Sequence, residues 1–346
     1  MRGGRKRRDG MEKHYLGHLP KNDPLYGYLR NDIQPLLAGG TEDIDYRVYM
    51  MPGSNDVYVY EDASSGRRVV GKFFLSPRQP DYERAARRLG REFRNLALMR
   101  EHGFDHSPHY IARPLGANYL LNCLLVVEFC YGEQLSAVIL RAMEQNDEQL
   151  LYDKLGALAF FLAEFHNRTV SDGTVDFAVT CAYMDRLTAR LREINAVNAD
   201  ELTELNWLRD RWRDQPRMWA DRQVYVHGDA TPGNFLFGDG LNVISFDLER
   251  LHYADRIFDT GRIAGELSYF YMRHRGNKTA AERFIGHFLW EYACHFPDRE
   301  RAFATMNARV PFYMGITFLR IARNEWIAPD FKAWLIAEAK QCLRSF

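Results

Sequence analysis

Charge of one sign is what this chain lacks most plainly. Its 46 basic residues are matched by 46 acidic ones, for a formal charge of zero. That balance gives no global electrostatic signature of nucleic-acid or membrane binding, and neither partner is expected from it. No stretch approaches the ~18 continuous apolar residues of a membrane span. Cysteines are few, five in all (Cys123, Cys130, Cys181, Cys294 and Cys342), and no C-x-x-C occurs. An odd number without paired spacing excludes a disulfide framework or a zinc site and fits a reducing compartment. Neither G-x-G-x-x-G nor G-x-x-x-x-G-K-[ST] is present, which argues against a P-loop enzyme. The first ten residues carry Arg2, Arg5, Lys6, Arg7 and Arg8 but not the apolar run of a secretory signal. They read as a disordered tail, with an anionic surface as the alternative use, and the protein is expected in the cytoplasm.

What the chain does have is an ordinary globular composition, 46% apolar and 27% charged over 346 residues. That length suits two lobes better than one core. Residues 24 to 38 read as a short helix ending at Gly39-Gly40. From Tyr46 the pattern turns to strand. Tyr46 to Met50, Val57 to Tyr60 and Val69 to Phe74 are separated by the turn clusters Pro52-Gly53-Ser54-Asn55-Asp56 and Asp62-Ala63-Ser64-Ser65-Gly66. Three consecutive antiparallel strands are the simplest arrangement. Residues 81 to 102 read as a helix with Leu89, Phe93, Leu96 and Met99 on one stripe. Glu92 points the same way, and an acid facing inward needs a partner.

Tyr119 to Phe129 reads as paired strands, and Tyr131-Gly132-Glu133 as the lobe boundary. Beyond it helices are expected over 147–167, 181–196, 200–214, 261–274, 280–296, 299–323 and 330–344. A strand island from Gln223 to Asp247 interrupts them. The expected organisation is a tail and short helix over 1–40, a sheet-bearing N-lobe over 41–131 and a mainly helical C-lobe over 132–346. Strands first and helices later make an α+β chain.

The densest chemistry lies in His227-Gly228-Asp229-Ala230-Thr231-Pro232-Gly233-Asn234, followed by two short apolar strands around Gly238-Asp239-Gly240 and ending at Asp247. Phosphoryl transfer uses an Asp and an Asn separated by four residues, in H-R-D-x-x-x-x-N, with a later metal-binding Asp. Asp229 and Asn234 keep that spacing, with Gly228 where the template has Arg. A hairpin after Asn234 would bring Asp247 back beside it. A carboxylate at Asp229 can orient and deprotonate an attacking hydroxyl. The oxygens of Asn234 and Asp247 are hard ligands suited to Mg²⁺.

This stretch, with Ile244-Ser245-Phe246-Asp247 after it, resembles the aminoglycoside phosphotransferase/choline kinase family of the protein-kinase-like superfamily. The resemblance follows the element order over about residues 46 to 275 and is carried by 225 to 262. It implies a bilobal fold with a small antiparallel-sheet N-lobe. It also implies ATP as cosubstrate, Mg²⁺, and a hydroxyl compound as acceptor. On this resemblance Lys72 holds the nucleotide phosphates and Glu92 positions Lys72. Gly53, Ser54 and Asn55 resemble the loop covering the phosphates, and Glu128 and Cys130 flank the hinge that reads the adenine edge. Glu249 resembles an extra acid at the metal or substrate, against the plainer alternative of a surface acid paired with Arg250 or Arg256. Asp259 matches a structural aspartate, expected to cap the following helix. His227 and His166 are expected to orient their surroundings rather than to exchange protons.

For the acceptor, residues 251 to 346 hold ten acids and fourteen Lys/Arg. A polycationic aminoglycoside prefers an acidic groove, so a neutral or anionic hydroxyl compound, such as a sugar or a lipid-precursor head group, fits better. Choline remains open because the same segment is aromatic, although Phe284, Ile285, Phe288, Leu289 and Tyr292 recur at helix spacing and read first as core. A macromolecular acceptor, such as a lipopolysaccharide core or a protein, and a pseudokinase that binds nucleotide without turnover are the competing functions. Oligomeric state is not legible.

Overall fold

The computed structural model describes residues 14–37, 44–51 and 56–346. The basic tail and the Gly53-Ser54-Asn55 loop lie outside these residues. The chain divides into two units, one of Met1–Glu133 with Ile244–Glu249, the other of Gln134–Val243 with Arg250–Phe346.

The first unit is built on a six-stranded antiparallel sheet in the order β1-β2-β3-β4-β8-β7. Its strands are β1 (His14–His18), β2 (Tyr46–Met51), β3 (Asp56–Asp62), β4 (Arg68–Phe73), β7 (Pro114–Asn118) and β8 (Leu124–Glu128); β5 (Asp105–His106) and β6 (His109–Ile111) pair separately. The three expected strands are β2 to β4, in register Val59↔Val70 and Tyr49↔Val59. The alternation of β4 buries Val69 against Tyr60, Leu124 and Val126. That face is covered by α1 (Pro24–Tyr28) and the helical turns after it, through Leu25, Tyr26, Leu29 and Ile33. The expected single helix is three short pieces, and Pro35, which has no N–H to continue the ladder, falls in the last of them. Of the strand pair expected over Tyr119 to Phe129 only β8 lies in that range; its partner β7 ends at Asn118, and residues 119–123 form the turn between them.

Helix α2 (Tyr82–Glu101) is capped by Asp81, which accepts from the Arg84 N–H at 3.0 Å. It buries Leu89, Glu92, Leu96 and Met99 on one side. The segment Ile244–Glu249 is tied into this unit twice, by the Ala112 N–H to the Ser245 carbonyl at 3.0 Å and by Asn95 Nδ2 to the Leu248 carbonyl at 2.7 Å.

A two-residue strand, β9 (Glu133–Gln134), leads into the second unit. Helices α3 (Leu135–Gln145), α4 (Glu148–Asn167), α5 (Phe177–Glu193) and α6 (Ala199–Arg213) precede the strand island. That island holds β10 (Val224–Val226), β11 (Phe235–Phe237) and β12 (Val243–Ser245), and β13 (His252–Ala254) pairs back onto β10. Helices α7 (Ile257–Arg275), α8 (Glu282–Ala293), α9 (Arg299–Asn307), α10 (Val310–Ala322) and α11 (Pro329–Leu343) complete it. Helix α3 was not expected, and the helix expected over 299–323 is two, α9 and α10. The break falls at residues 308–309, and Pro311, which has no N–H to continue a helix from α9, sits in the first turn of α10, where none is needed. Gly261 and Gly265 let α7 lie directly on α10: a Cβ at Gly261 would meet the Tyr313 Cβ at 2.4 Å, and one at Gly265 the Thr317 Cβ at 2.8 Å. All five cysteines are free. Among the described residues no helix is long and apolar enough to cross a membrane.

Candidate active site

The residues singled out by sequence fall into two constellations, each internal to one unit. In the first unit Lys72 projects from β4, and its Nζ donates to Glu92 Oε2 and to Asp247 Oδ1, both at 2.7 Å. Glu249 Oε2 stands 4.0 Å from the same nitrogen. The ammonium also lies 5.1 Å from the centre of the Phe74 ring, and the Arg88 guanidinium reaches that ring at the same distance. Burial pulls the Lys72 pKa down, but Glu92, Asp247 and Glu249 outweigh it and hold the amine protonated well above its usual range. Burial pushes Glu92 up to about 7 against the pull of Lys72.

Asp247 has φ +62°, a left-handed backbone that a non-glycine residue adopts only under local constraint. The Asn95 bond to Leu248 next door supplies part of that constraint. Glu249 is half-buried, and Arg88 Nη2 donates to its Oε2 at 2.8 Å. Glu92, Asp247 and Glu249 each offer an oxygen within 4.8 Å of the others. Three carboxylates beside one ammonium and one guanidinium leave an excess of negative charge, and hard oxygen donors of this kind fit a divalent cation.

In the second unit the loop after β10 carries Asp229. Gly228 sits at φ +76°, and a Cβ there would lie 2.1 Å from the Arg250 carbonyl oxygen. Steric room, therefore, excludes the template's arginine at this position. Asp259 receives the backbone N–H of His227 at 2.6 Å and of Gly228 at 3.1 Å. It also bonds His166 Nε2 at 3.1 Å, and His166 Nδ1 meets the Tyr292 hydroxyl at 2.8 Å. Asp259 is structural, but it is not a helix cap: it lies inside α7, whose N-terminus has no side-chain cap. His227 Nδ1 accepts from the Asp229 N–H at 3.3 Å, an orienting role for that ring.

The turn Pro232–Asn234 aims Asn234 back at the loop, with Nδ2 donating to the Asp229 carbonyl at 2.8 Å. The amide oxygen is thereby left as the accepting end. The Gln134 amide holds the Gly233 carbonyl at 2.9 Å.

The Asp229 carboxylate is surrounded by cations. Arg320 Nη2 lies at 2.5 Å, Arg262 Nη1 at 3.3 Å and Arg250 Nε at 3.7 Å. Burial raises its pKa, yet these arginines outweigh burial and hold it at about 2. Arg320 bridges onward to Glu266 at 3.1 Å. Sequence reasoning missed Arg88, Asn95, Arg262, Glu266 and Arg320. Arg88 was readable, since it lies four before Glu92 and shares its helix face. Arg320 carries no local signal.

Glu128, expected at a hinge, ends β8, and its carboxylate accepts the Arg113 N–H at 2.5 Å. Burial pushes the Cys130 thiol up to about 12, so it is neutral at physiological pH.

The profile of a family described as the phosphotransferase enzyme family (APH) matches residues 52–300. No curated protein matches the chain by sequence. Among solved structures, an ethanolamine kinase from Plasmodium vivax is similar at TM-score 0.58 and 12% identity, over 92% of this chain and 87% of that one. An amicoumacin kinase bound to AMP-PNP, Ca²⁺ and amicoumacin gives 0.57 and 17%, over 93% and 96%. Choline kinase from Streptococcus pneumoniae gives 0.56 and 14%, over 94% and 100%. At these identities the similarity is one of fold, and that fold is protein-kinase-like.

Proposed function

We propose that this chain, which belongs to the phosphotransferase enzyme family and is a small-molecule phosphotransferase acting on hydroxyl groups, moves the γ-phosphoryl group of ATP onto its acceptor with Mg²⁺. The observation that carries this is Lys72, a buried ammonium held at 2.7 Å by both Glu92 and Asp247. Such a pair is what a kinase uses to grip nucleotide phosphates. The amicoumacin kinase of like fold binds an ATP analogue with a divalent cation.

Asp247 and Glu249 offer metal-binding oxygens in this reading, and Asn234 is proposed as a ligand on the resemblance of its motif alone. Bound there, Mg²⁺ supplies neutralisation of the phosphate oxygens. The main chain of 128–130 takes the nucleobase edge, and Gly53, Ser54 and Asn55 cover the phosphates.

Asp229 accepts a hydrogen bond from the acceptor hydroxyl and fixes its direction of attack. The new O–P bond forms as the bond between the γ-phosphorus and the leaving ADP oxygen breaks, and the hydroxyl proton passes to Asp229. A carboxyl with a pKa of about 2 is a weak base. That suits a loose transition state, in which the alcohol loses its proton late and positioning outweighs basicity.

The test is ATP consumption by the full-length protein across a library of hydroxyl compounds, with nucleotide affinity measured with and without Mg²⁺. Turnover with one acceptor class and loss of metal-dependent nucleotide binding in Asp247→Asn are expected. Normal metal-dependent binding in that variant would show the metal assignment wrong. Tight ATP binding without turnover on any acceptor would point to a pseudokinase.

A further inference from the structure

Around Asp229 the positive charge exceeds what the acids present can balance. Arg262 is almost fully buried, and its Nη1 donates to the Gly228 carbonyl at 2.5 Å as well as to Asp229. Its Nη2 reaches the Tyr183 hydroxyl at 3.4 Å. The Nε–H groups of Arg262 and Arg320 are buried and have no hydrogen-bond partner among the described residues. A buried, unanswered guanidinium N–H is costly.

Arg323 follows Arg320 by three positions, on the same side of α10, at its C-terminal end. It is half-buried and makes no ion pair among the described residues. Burial, together with repulsion from Arg320, Arg250 and Arg262, lowers its pKa. The end of α10 offers about half an elementary charge in compensation, short of the two guanidiniums it carries. Of the two acids at hand, burial pushes Glu266 toward its neutral form.

We propose that Arg250, Arg262, Arg320 and Arg323 form an oxyanion-recognition site beside Asp229, so that the alcohol phosphorylated by this protein carries a carboxylate or phosphate of its own. The inference rests on the kinase reading and narrows its acceptor. Guanidinium groups suit both anions, because their planar forks match carboxylate and phosphate oxygens. The Nε–H groups left over at Arg262 and Arg320, and the unpaired Arg323, are the donors available to such a group. A cationic aminoglycoside or choline meets repulsion at the same place.

The test begins with inorganic phosphate titrated into the full-length protein, without nucleotide or metal, and followed by calorimetry. Arg323→Gln is expected to weaken binding about tenfold, the scale of one charge-assisted hydrogen bond, and Arg323→Lys to keep most of it. Equal phosphate affinity in the wild type and Arg323→Gln overturns the site, as does a loss that follows Lys72→Met instead. Should Arg323→Gln lower the melting temperature, the exposed Arg250→Gln serves in its place.

A second arm displaces bound phosphate with glycerate, glycerol 3-phosphate and glycerol. Displacement by glycerate assigns the carboxylate and by glycerol 3-phosphate the phosphate. Displacement by glycerol equal to either, or by none of the three, overturns the acceptor class. Since no nucleotide enters these measurements, a protein that fails to use ATP yet binds phosphate through Arg323 sinks the kinase reading and leaves the anion site standing.

Discussion

In the first unit one ammonium, Lys72, is shared by Glu92, Asp247 and Glu249, with Arg88 as the second cation. In the second unit one carboxylate, Asp229, is shared by Arg320, Arg262 and Arg250, with Glu266 as the second anion and Arg323 close by. The two sets mirror each other in sign. Buried charges of one sign without enough of the other are expensive, so each imbalance points to the ion that would relieve it. The acidic set asks for a cation and the basic set for an anion. A phosphoryl transfer needs both kinds of site, one for the metal and phosphates, the other for the acceptor. A protein built only for stability would have neutralised each set within itself.

The comparison breaks most visibly at Asp229. Replacing it by Asn is expected to lower kcat by about 10²- to 10⁴-fold, the usual worth of a positioned acid or base, with MgATP affinity unchanged in a direct binding measurement. A parallel fall in nucleotide affinity would mean that the basic constellation serves the nucleotide after all.

Glu249→Gln sharpens the other side with a smaller effect. It removes one of three anionic oxygens, and the Mg²⁺ concentration needed for half-maximal nucleotide binding is expected to rise about tenfold, as for the loss of one charged contact. If that concentration is unchanged while Asp247→Asn abolishes metal dependence, Glu249 serves only as the partner of Arg88.

How far these sets could be read beforehand differs between them, and the reason is physical. Lys72, Glu92 and Asp247 stand in patterns that sequence spacing reports: an alternating strand, a helix stripe and a turn-bounded strand pair. Arg88 falls on the Glu92 face and was within reach of the same periodicity. Asp229 and Asn234 were recognised by type and spacing, and the need for Gly228 became clear only when the Arg250 carbonyl was found against it.

Arg320 and Arg323 had no such pattern. Arg320 reaches Asp229, and Arg323 comes with it on the same helix, because α10 packs on α7 at Gly261 and Gly265, a long-range contact that no local window contains. Helix α3 is a different kind of miss. Leu135, Val138, Ile139 and Ala142 are buried at helical spacing, but the segment follows the turn residues read as a lobe boundary and was passed over. At residues 308–309 the opposite error arose, because apolar periodicity ran on through the break ahead of a proline that starts the next helix.

The smallest expected effect concerns the support of the Asp229 loop, and it separates that support from the chemistry. His166 is fully buried between Tyr292 and Asp259. Burial pushes its pKa below the usual histidine value, against the pull of Asp259. The ring is therefore neutral in the folded protein, with Nε2–H donating to Asp259 and Nδ1 accepting from Tyr292, whose hydroxyl burial raises to about 12.

In the unfolded chain the same ring takes up a proton near pH 6.5. Below that pH the unfolded state binds more protons than the folded one, so stability falls on acidification, by at most about 1.4 kcal/mol per pH unit for one proton. Asp229 cannot produce this slope, because a carboxyl held at about 2 begins to lose its contribution only below about pH 4. The readout is the difference between the two proteins, because Glu92, raised to about 7, takes up a proton in the folded state over the same range and opposes this slope in both. In urea midpoints measured at pH 7.5 and 5.5, His166→Gln should start lower at pH 7.5 and lose less on acidification than the wild type does, while His295, whose pKa burial also lowers, contributes equally to both. Equal slopes in the two proteins would mean that the ring titrates freely and that Asp259 holds the loop without it.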